Sequence, residues 1–94
     1  IQFESLRAFS STDKSSVTGN LDKGNIQLKS NYLPLTVASN DVDGDVQAFS
    51  NRANPLAISS NGIDGNLQCK DNNPAPIGSN NRVSGNKEDQ CRRL

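Results

Sequence analysis

Two cysteines, Cys69 and Cys91, carry the most reactive side chains of this chain. The sequence has no His and no Cys-x-x-Cys motif, so the soft ligand set that holds zinc is missing. A disulfide in an exported protein is therefore the favoured interpretation. Two free thiols in a cytosolic protein are the alternative. We predict a Cys69–Cys91 disulfide.

Carboxylates are the next candidates for chemistry. Asp41, Asp43 and Asp45 alternate along the chain, and oxygen ligands of this kind hold calcium. A calcium-binding repeat needs the same acids in the neighbouring repeat, which instead has Gly62, Asp64 and Asn66. A nucleophile activated by a His base is excluded because the chain has no His. We therefore expect no catalytic residue, no cofactor and no metal site.

A column of glutamines is the most regular candidate for a binding surface. Each lies between two apolar residues of a short phrase: Gln2, Gln27, Gln47 and Gln68. Such a column could present a flat polar face that matches the repeat of a glycan. The alternative, which we favour, is a solvated face whose amides hydrogen-bond to one another along the stack.

The glutamines belong to a phrase that recurs along the chain. It begins at Gly24, Gly44, Gly65 and Gly85, with spacings of 20, 21 and 20 residues. A repeat of this length is too short for two helices, and its richness in Asn and Gly is typical of a β-solenoid. Hydrophobic residues make up only 32% of the sequence, but the net charge is zero and the apolar residues are regularly spaced. Both observations favour folding over disorder.

Each repeat divides into three short strands. The first is the apolar–Gln–apolar triplet, with Phe3, Leu28, Ala48 and Cys69 in one inward column. The second begins after Pro34, Pro55 and Pro76, and the third carries one inward residue, Leu21, Val42, Ile63 or Val83. The corners carry Gly24, Gly44, Gly65 and Gly85 and two columns of Asn, residues 20, 40, 61, 81 and 31, 51, 72. Gly and Asn accept left-handed backbone, and stacked Asn side chains can form ladders.

These features predict an all-β fold, a right-handed single-stranded parallel β-helix of four to five coils. It forms a single domain over residues 1–94. Residues 1–23 are an N-terminal coil with a loop insertion, 24–84 are three regular coils and 85–94 are a C-terminal cap. We expect a one-residue drift before Pro55 and Pro76. The predicted core is Leu28, Leu35, Val37, Val46, Leu56, Ile58, Ile63, Leu67, Ile77 and Val83.

The two ends of the predicted solenoid differ. Lys87, Glu88 and Asp89 replace the apolar–Gln–apolar triplet and would block further strand pairing. At the other end Leu6 and Phe9 could cover an apolar edge, or that edge could continue into an upstream domain or pair with a second copy in a homodimer. Balanced charge predicts no nucleic-acid partner, and no apolar run is long enough for membrane insertion. The chain starts at Ile1 and has no Met, as expected of a mature or excised segment.

The stretch from Gly65 to Cys91 resembles the C-terminal repeats of uncharacterised secreted bacterial proteins, and the upstream coils resemble their preceding repeats. The resemblance implies a right-handed β-helix and a secreted or cell-surface location, and it implies no activity. The broader fold resembles the pectate-lyase-like superfamily, whose acidic calcium cluster and basic catalytic residue have no counterpart here. The expected function is a non-enzymatic structural or glycan-binding module. The alternative is a fragment of a polysaccharide lyase-like enzyme.

Overall fold

The computed structural model describes residues 2–4 and 15–94. Strands are the regular elements of this part of the chain, and no helix occurs in it. The strands are β1 Gln2–Glu4, β2 Ser15–Thr18, β3 Leu21–Asp22, β4 Ile26–Lys29, β5 Leu35–Ala38, β6 Asp41–Val42, β7 Val46–Phe49, β8 Leu56–Ser59, β9 Gly62–Ile63, β10 Leu67–Lys70, β11 Arg82–Val83 and β12 Lys87–Asp89.

The strands form three parallel sheets, because each coil of chain adds one strand to each sheet in turn. The first sheet has the order β1-β4-β7-β10-β12, the second β2-β5-β8 and the third β11-β9-β6-β3. Every strand pair is parallel. The predicted parallel β-solenoid is confirmed, with about four stacked coils. Its right-handed sense stays a prediction.

The core is a thin column of aliphatic side chains between the three sheets. Ile26 pairs with Val46 and Val46 with Leu67, so like positions stack from coil to coil. The alternation of buried and partly exposed residues along β4, β7 and β10 confirms the inward and outward columns in these three strands, whereas the side chain of Phe3 lies outside the described structure. Eight of the predicted core residues are buried: Leu28, Leu35, Val37, Val46, Leu56, Ile58, Ile63 and Leu67.

The prediction of Ile77 in the core is wrong, since 56% of its surface is exposed. Ile77 pairs with Ala57 rather than with Leu56, and a shift of one residue turns a side chain to the opposite face. The extra residue expected before Pro55 is present, because Leu35 pairs with Leu56 while Asn31 stacks on Asn51. A one-residue drift also falls before Pro76, as expected, but there the corner is shorter by one residue, because Asn51 stacks on Asn72 while Ala57 pairs with Ile77. Pro76 takes the buried position instead.

Two other expectations for the core need correction. Leu21 is 83% exposed, because it pairs with Asp41 and leaves the inward position of the third sheet to Asp22. Val83 is only partly buried against the core. The core also includes residues that were not predicted, among them Ala53 in a turn and Leu94 at the C-terminal end.

The left-handed residues at the corners were also assigned wrongly. Positive φ angles fall on the residue before each stacked Asn, mostly Ser, as at Ser30, Ser39, Ser50 and Ser60. Gly44, Gly65 and Gly85 of the recurring phrase serve close approach between coils instead. A Cβ atom on Gly65 would lie 2.7 Å from the carbonyl oxygen of Gly44 and would overlap the Asp45 carboxylate.

Two ladders of buried amides run along the corners, as the Asn columns predicted. In one, the Asn31 amide donates to Asn51 at 3.0 Å, and Asn51 donates to Asn72 at 2.9 Å. Each side chain also bonds the backbone; Asn51 Nδ2 donates to the Leu28 carbonyl, and its Oδ1 accepts from the backbone N–H of Asn31. The second ladder joins Asn20, Asn40, Asn61 and Asn81.

The C-terminal end is closed by strand β12 and the turn that follows it. A disulfide joins Cys69 to Cys91, as predicted, with 5.2 Å between their Cα atoms, and both residues are fully buried. Leu94 is buried beside them, and its backbone oxygen accepts from Asn81 Nδ2 at 3.1 Å. At the other end, the expected cover by Leu6 and Phe9 lies outside the described residues, and the homodimer through this coil stays a prediction.

Candidate functional site

The predicted glutamine face is a hydrogen-bonded ladder along the outside of the first sheet. Gln27 Nε2 donates to Gln47 Oε1 at 2.9 Å, and Gln47 Nε2 donates to Gln68 Oε1 at 2.9 Å. Gln68 Nε2 in turn donates to the Glu88 carboxylate at 3.3 Å. All are half-buried. This geometry agrees with the favoured interpretation, in which the amides bond to one another.

All three amide ladders point the same way. Each amide N–H₂ donates toward the next coil, and the last acceptor always comes from the C-terminal cap: the Glu88 carboxylate, the Gln90 amide oxygen or the Leu94 backbone oxygen. Glu88 therefore fits its position because a carboxylate only accepts. Gln2 pairs with Gln27 in the strand register, but its side chain lies outside the described structure. The remaining glutamines have their amides committed to one another along the stack.

A second polar surface lies over the third sheet, in a groove of about 700 Å³ that spans three coils. We call it the third-sheet groove. One wall is the corner column of left-handed residues, whose side chains are exposed: Ser39, Ser60 and Asn80. The floor and the opposite wall come from the outward residues of β6, β9 and β11 and from the residues after them: Asp41, Gly62, Arg82, Asp64 and Ser84.

Gly62 opens the middle of this groove. It pairs with Asp41 in the coil before it and with Arg82 in the coil after it, so the two charged residues stand on either side of it. Nothing comes closer to a Cβ atom placed on Gly62 than Asp41 Oδ1, at 3.8 Å. The position therefore tolerates a side chain sterically, and its absence leaves a notch between a carboxylate and a guanidinium.

The charged side chains of the groove have no partner in the described part of the protein. Arg82, Asp41 and Asp64 bond the adjacent coil through their backbone amides, as in Arg82 N–H to Asn61 at 2.8 Å, and their side chains make neither hydrogen bonds nor ion pairs there. They are solvent-exposed and point away from the core. Their hydrogen-bonding capacity is therefore available to a ligand.

The three carboxylates considered as calcium ligands, Asp41, Asp43 and Asp45, do not form a common site among the described residues. Strand β6 ends at Val42, and the Asp45 carboxylate instead accepts from the backbone N–H of Asn66 at 2.7 Å. Asp45 thus takes part in stacking the corner, in the same way as Asn25 and Asn66 do in their coils. Among residues 2–4 and 15–94, no three acidic, Cys or His side chains converge on a common point.

Sequence reasoning missed the third-sheet groove because its residues do not repeat. Asp41, Gly62 and Arg82 occupy equivalent positions with three unlike side chains, so they form no column of like residues in the sequence. The available signal was this very departure from the repeat, with a glycine at an outward strand position. No helix long and apolar enough to cross a membrane occurs among the described residues. No family model, no curated protein and no solved structure matches the chain.

Proposed function

We propose that this protein is an exported, non-catalytic solenoid module that binds a glycan along the third-sheet groove. The observation that carries the proposal is the set of exposed hydroxyl, carboxylate and guanidinium groups in that groove that have no partners among residues 2–4 and 15–94. Groups of these types recognise sugar hydroxyls by hydrogen bonds, and a groove across several coils suits an extended polymer.

The glutamine face is the weaker candidate for the same role. Its amides already donate and accept along the stack, so a ligand there has only the second N–H and the second lone pair of each amide, unless it replaces a ladder bond. In the groove a ligand replaces only water. Net affinity comes from the difference between the bonds made and the bonds lost. Each contact in the groove should therefore contribute more binding free energy than a contact on the glutamine face.

Export is proposed on the disulfide and on the resemblance to secreted repeats. Disulfides persist in oxidising compartments and are rare in the cytosol. The Cys69–Cys91 bridge ties the last coil to the cap and has both of its residues fully buried, as expected of a structural disulfide. A secreted or cell-surface location would bring the groove into contact with extracellular or cell-wall polysaccharide.

Glycan arrays and isothermal titration with soluble polysaccharides test the proposal. Neutral, acidic and amine-bearing polymers should be compared on the wild type and on Gly62→Leu, whose side chain would fill the notch. We expect binding of at least one polymer that Gly62→Leu abolishes and Gln47→Ala retains. Loss of binding in Gln47→Ala but not in Gly62→Leu would place the site on the glutamine face and contradict the groove. Release of shortened chains would instead support the polysaccharide lyase-like alternative.

A further inference from the structure

The third-sheet groove is divided by charge, and this division points to a narrower class of ligand. We propose that the groove recognises a zwitterionic glycan, a polymer in which sugars with free amino groups stand near sugars with carboxylate groups. This inference rests on the proposed glycan-binding function. It names the chemistry that Asp41, Asp64 and Arg82 would select.

Geometry keeps the opposite charges of the groove apart. Asp41 and Arg82 lie in the two coils that flank Gly62, so their Cα atoms are separated by two strand spacings, roughly 9 to 10 Å. The Asp41 carboxylate leans toward the notch, with Oδ1 3.8 Å from the position that a Cβ on Gly62 would take. No bond joins it to Arg82, and the side chain of Asp64 at the edge of the groove is equally without a partner in the part of the chain that the structure describes. A ligand that lies over Gly62 would therefore meet a carboxylate on one side and a guanidinium on the other, two coils apart.

Each charge selects a complementary group on the ligand. A carboxylate accepts charge-assisted hydrogen bonds from an ammonium group, and an Arg fork binds a carboxylate through two parallel N–H donors. A purely anionic polymer would meet repulsion at Asp41 and Asp64, and a purely cationic one would meet it at Arg82. Ser60 and Ser84 add hydroxyl groups that can bond the neutral part of the sugars. A glycan with both charges satisfies the whole groove.

The test uses one polymer in two chemical forms. A chain of alternating glucosamine and glucuronic acid is titrated with its amines free and after their N-acetylation, which removes the positive charge and keeps the carboxylates. We expect the wild-type protein to bind the free-amine form at least about tenfold more tightly, the difference that one charge-assisted hydrogen bond supports. Added salt should weaken that preference.

Variants assign the two charges to the two halves of the ligand. Asp41→Asn should remove most of the preference for the free-amine form, whereas Arg82→Gln should weaken binding of both forms. The variant side chains are exposed, so unchanged melting curves should show that both proteins stay folded. Equal binding of the two forms, unaltered by Asp41→Asn but abolished by Gly62→Leu, would overturn the preference for a zwitterionic glycan. It would leave the proposed glycan binding in place. Failure of every glycan to bind would overturn the proposed function and this inference with it.

Discussion

The outer face of the first sheet and the groove over the third sheet are both polar, and they run along the same coils. On the first sheet, like residues stack, and Gln27, Gln47 and Gln68 bond one another in a continuous chain of amides. On the third sheet, the stacked positions hold Asp41, Gly62 and Arg82, which make no bonds among their side chains. The amides of the first face have spent part of their hydrogen-bonding capacity on one another, while the charged side chains of the groove keep all of theirs.

Positions that repeat in every coil and positions that change from coil to coil serve stability and ligand binding differently. A residue that recurs in every coil can bond its own copies, so regularity is explained by stability before any ligand is invoked. A position that changes type from coil to coil gains nothing from stacking. Its side chains contribute little to folding, so their hydrogen-bonding groups stay available to a ligand. The most regular surface column was therefore the less suitable place to look for a site.

The largest effect on stability is expected from a substitution in one of the buried asparagine ladders. Asn51 accepts from Asn31 and donates to the Leu28 carbonyl, with no access to water. Asn51→Ala should lower the free energy of unfolding by at least about 3 kcal/mol, because several buried polar groups lose a partner together. Urea unfolding followed by circular dichroism measures it. The control is Asn86→Ala, which removes an exposed amide and should change the stability by less than about 0.5 kcal/mol.

A second prediction compares two glycines of neighbouring positions. Gly65→Ala would drive a methyl group into the backbone of Gly44, so we expect a loss of about 1 to 3 kcal/mol. Gly62→Ala makes only an ordinary van der Waals contact with Asp41 Oδ1 and should stay within about 0.5 kcal/mol of the wild type. The measurement is the urea midpoint of the two variants side by side. Equal destabilisation would show that Gly62 is needed by the fold, and the notch would lose its functional explanation.

The coil architecture could be predicted because the repeat constrains it many times over. Phrases that begin at Gly24, Gly44 and Gly65 fix the register of the first sheet, and the buried Asn columns follow from the same alignment. The predicted register was wrong where it rested on a single motif. Pro76 was aligned with Pro55, but Pro76 itself takes the strand position of Leu56, so the corner after Asn72 is one residue shorter than the corner after Asn51.

The candidate site was beyond the reach of the sequence for a related reason. Which side chains share the groove depends on the strand register of the third sheet, where Leu21 was placed inward and is in fact exposed. That strand has two residues per coil, so alternation has too few positions to define a face. The pairing of unlike residues across Gly62 is a property of the stack and is visible only in three dimensions.

A third prediction tests whether the glutamine face contributes to stability and the third-sheet groove to binding. Gln47→Ala removes two ladder bonds from a half-buried position where water can replace them, so we expect a loss of about 0.5 to 1.5 kcal/mol and unaltered glycan binding. Arg82→Gln should change stability by less than about 0.5 kcal/mol and should weaken binding. Thermal melts and titrations on both variants measure the two properties. A variant that loses both would contradict the separation of the faces.

The smallest effect is expected at Asp22, an acidic residue of the third sheet that lies outside the groove. The backbone N–H of Gly24 donates to its carboxylate at 2.9 Å and lowers the pKa of Asp22 below the ordinary 3.8. A carboxyl whose pKa is lowered by folding stabilises the protein above that ordinary value, and the contribution is lost as the pH falls through the folded pKa. Asp22→Asn should therefore flatten the acid limb of the stability profile below pH 3.8, whereas Leu21→Ala, an exposed neighbour without a titrating group, should leave its slope unchanged. Parallel acid limbs for Asp22→Asn and the wild type would show that this carboxylate contributes no more to folding than the open acids of the groove.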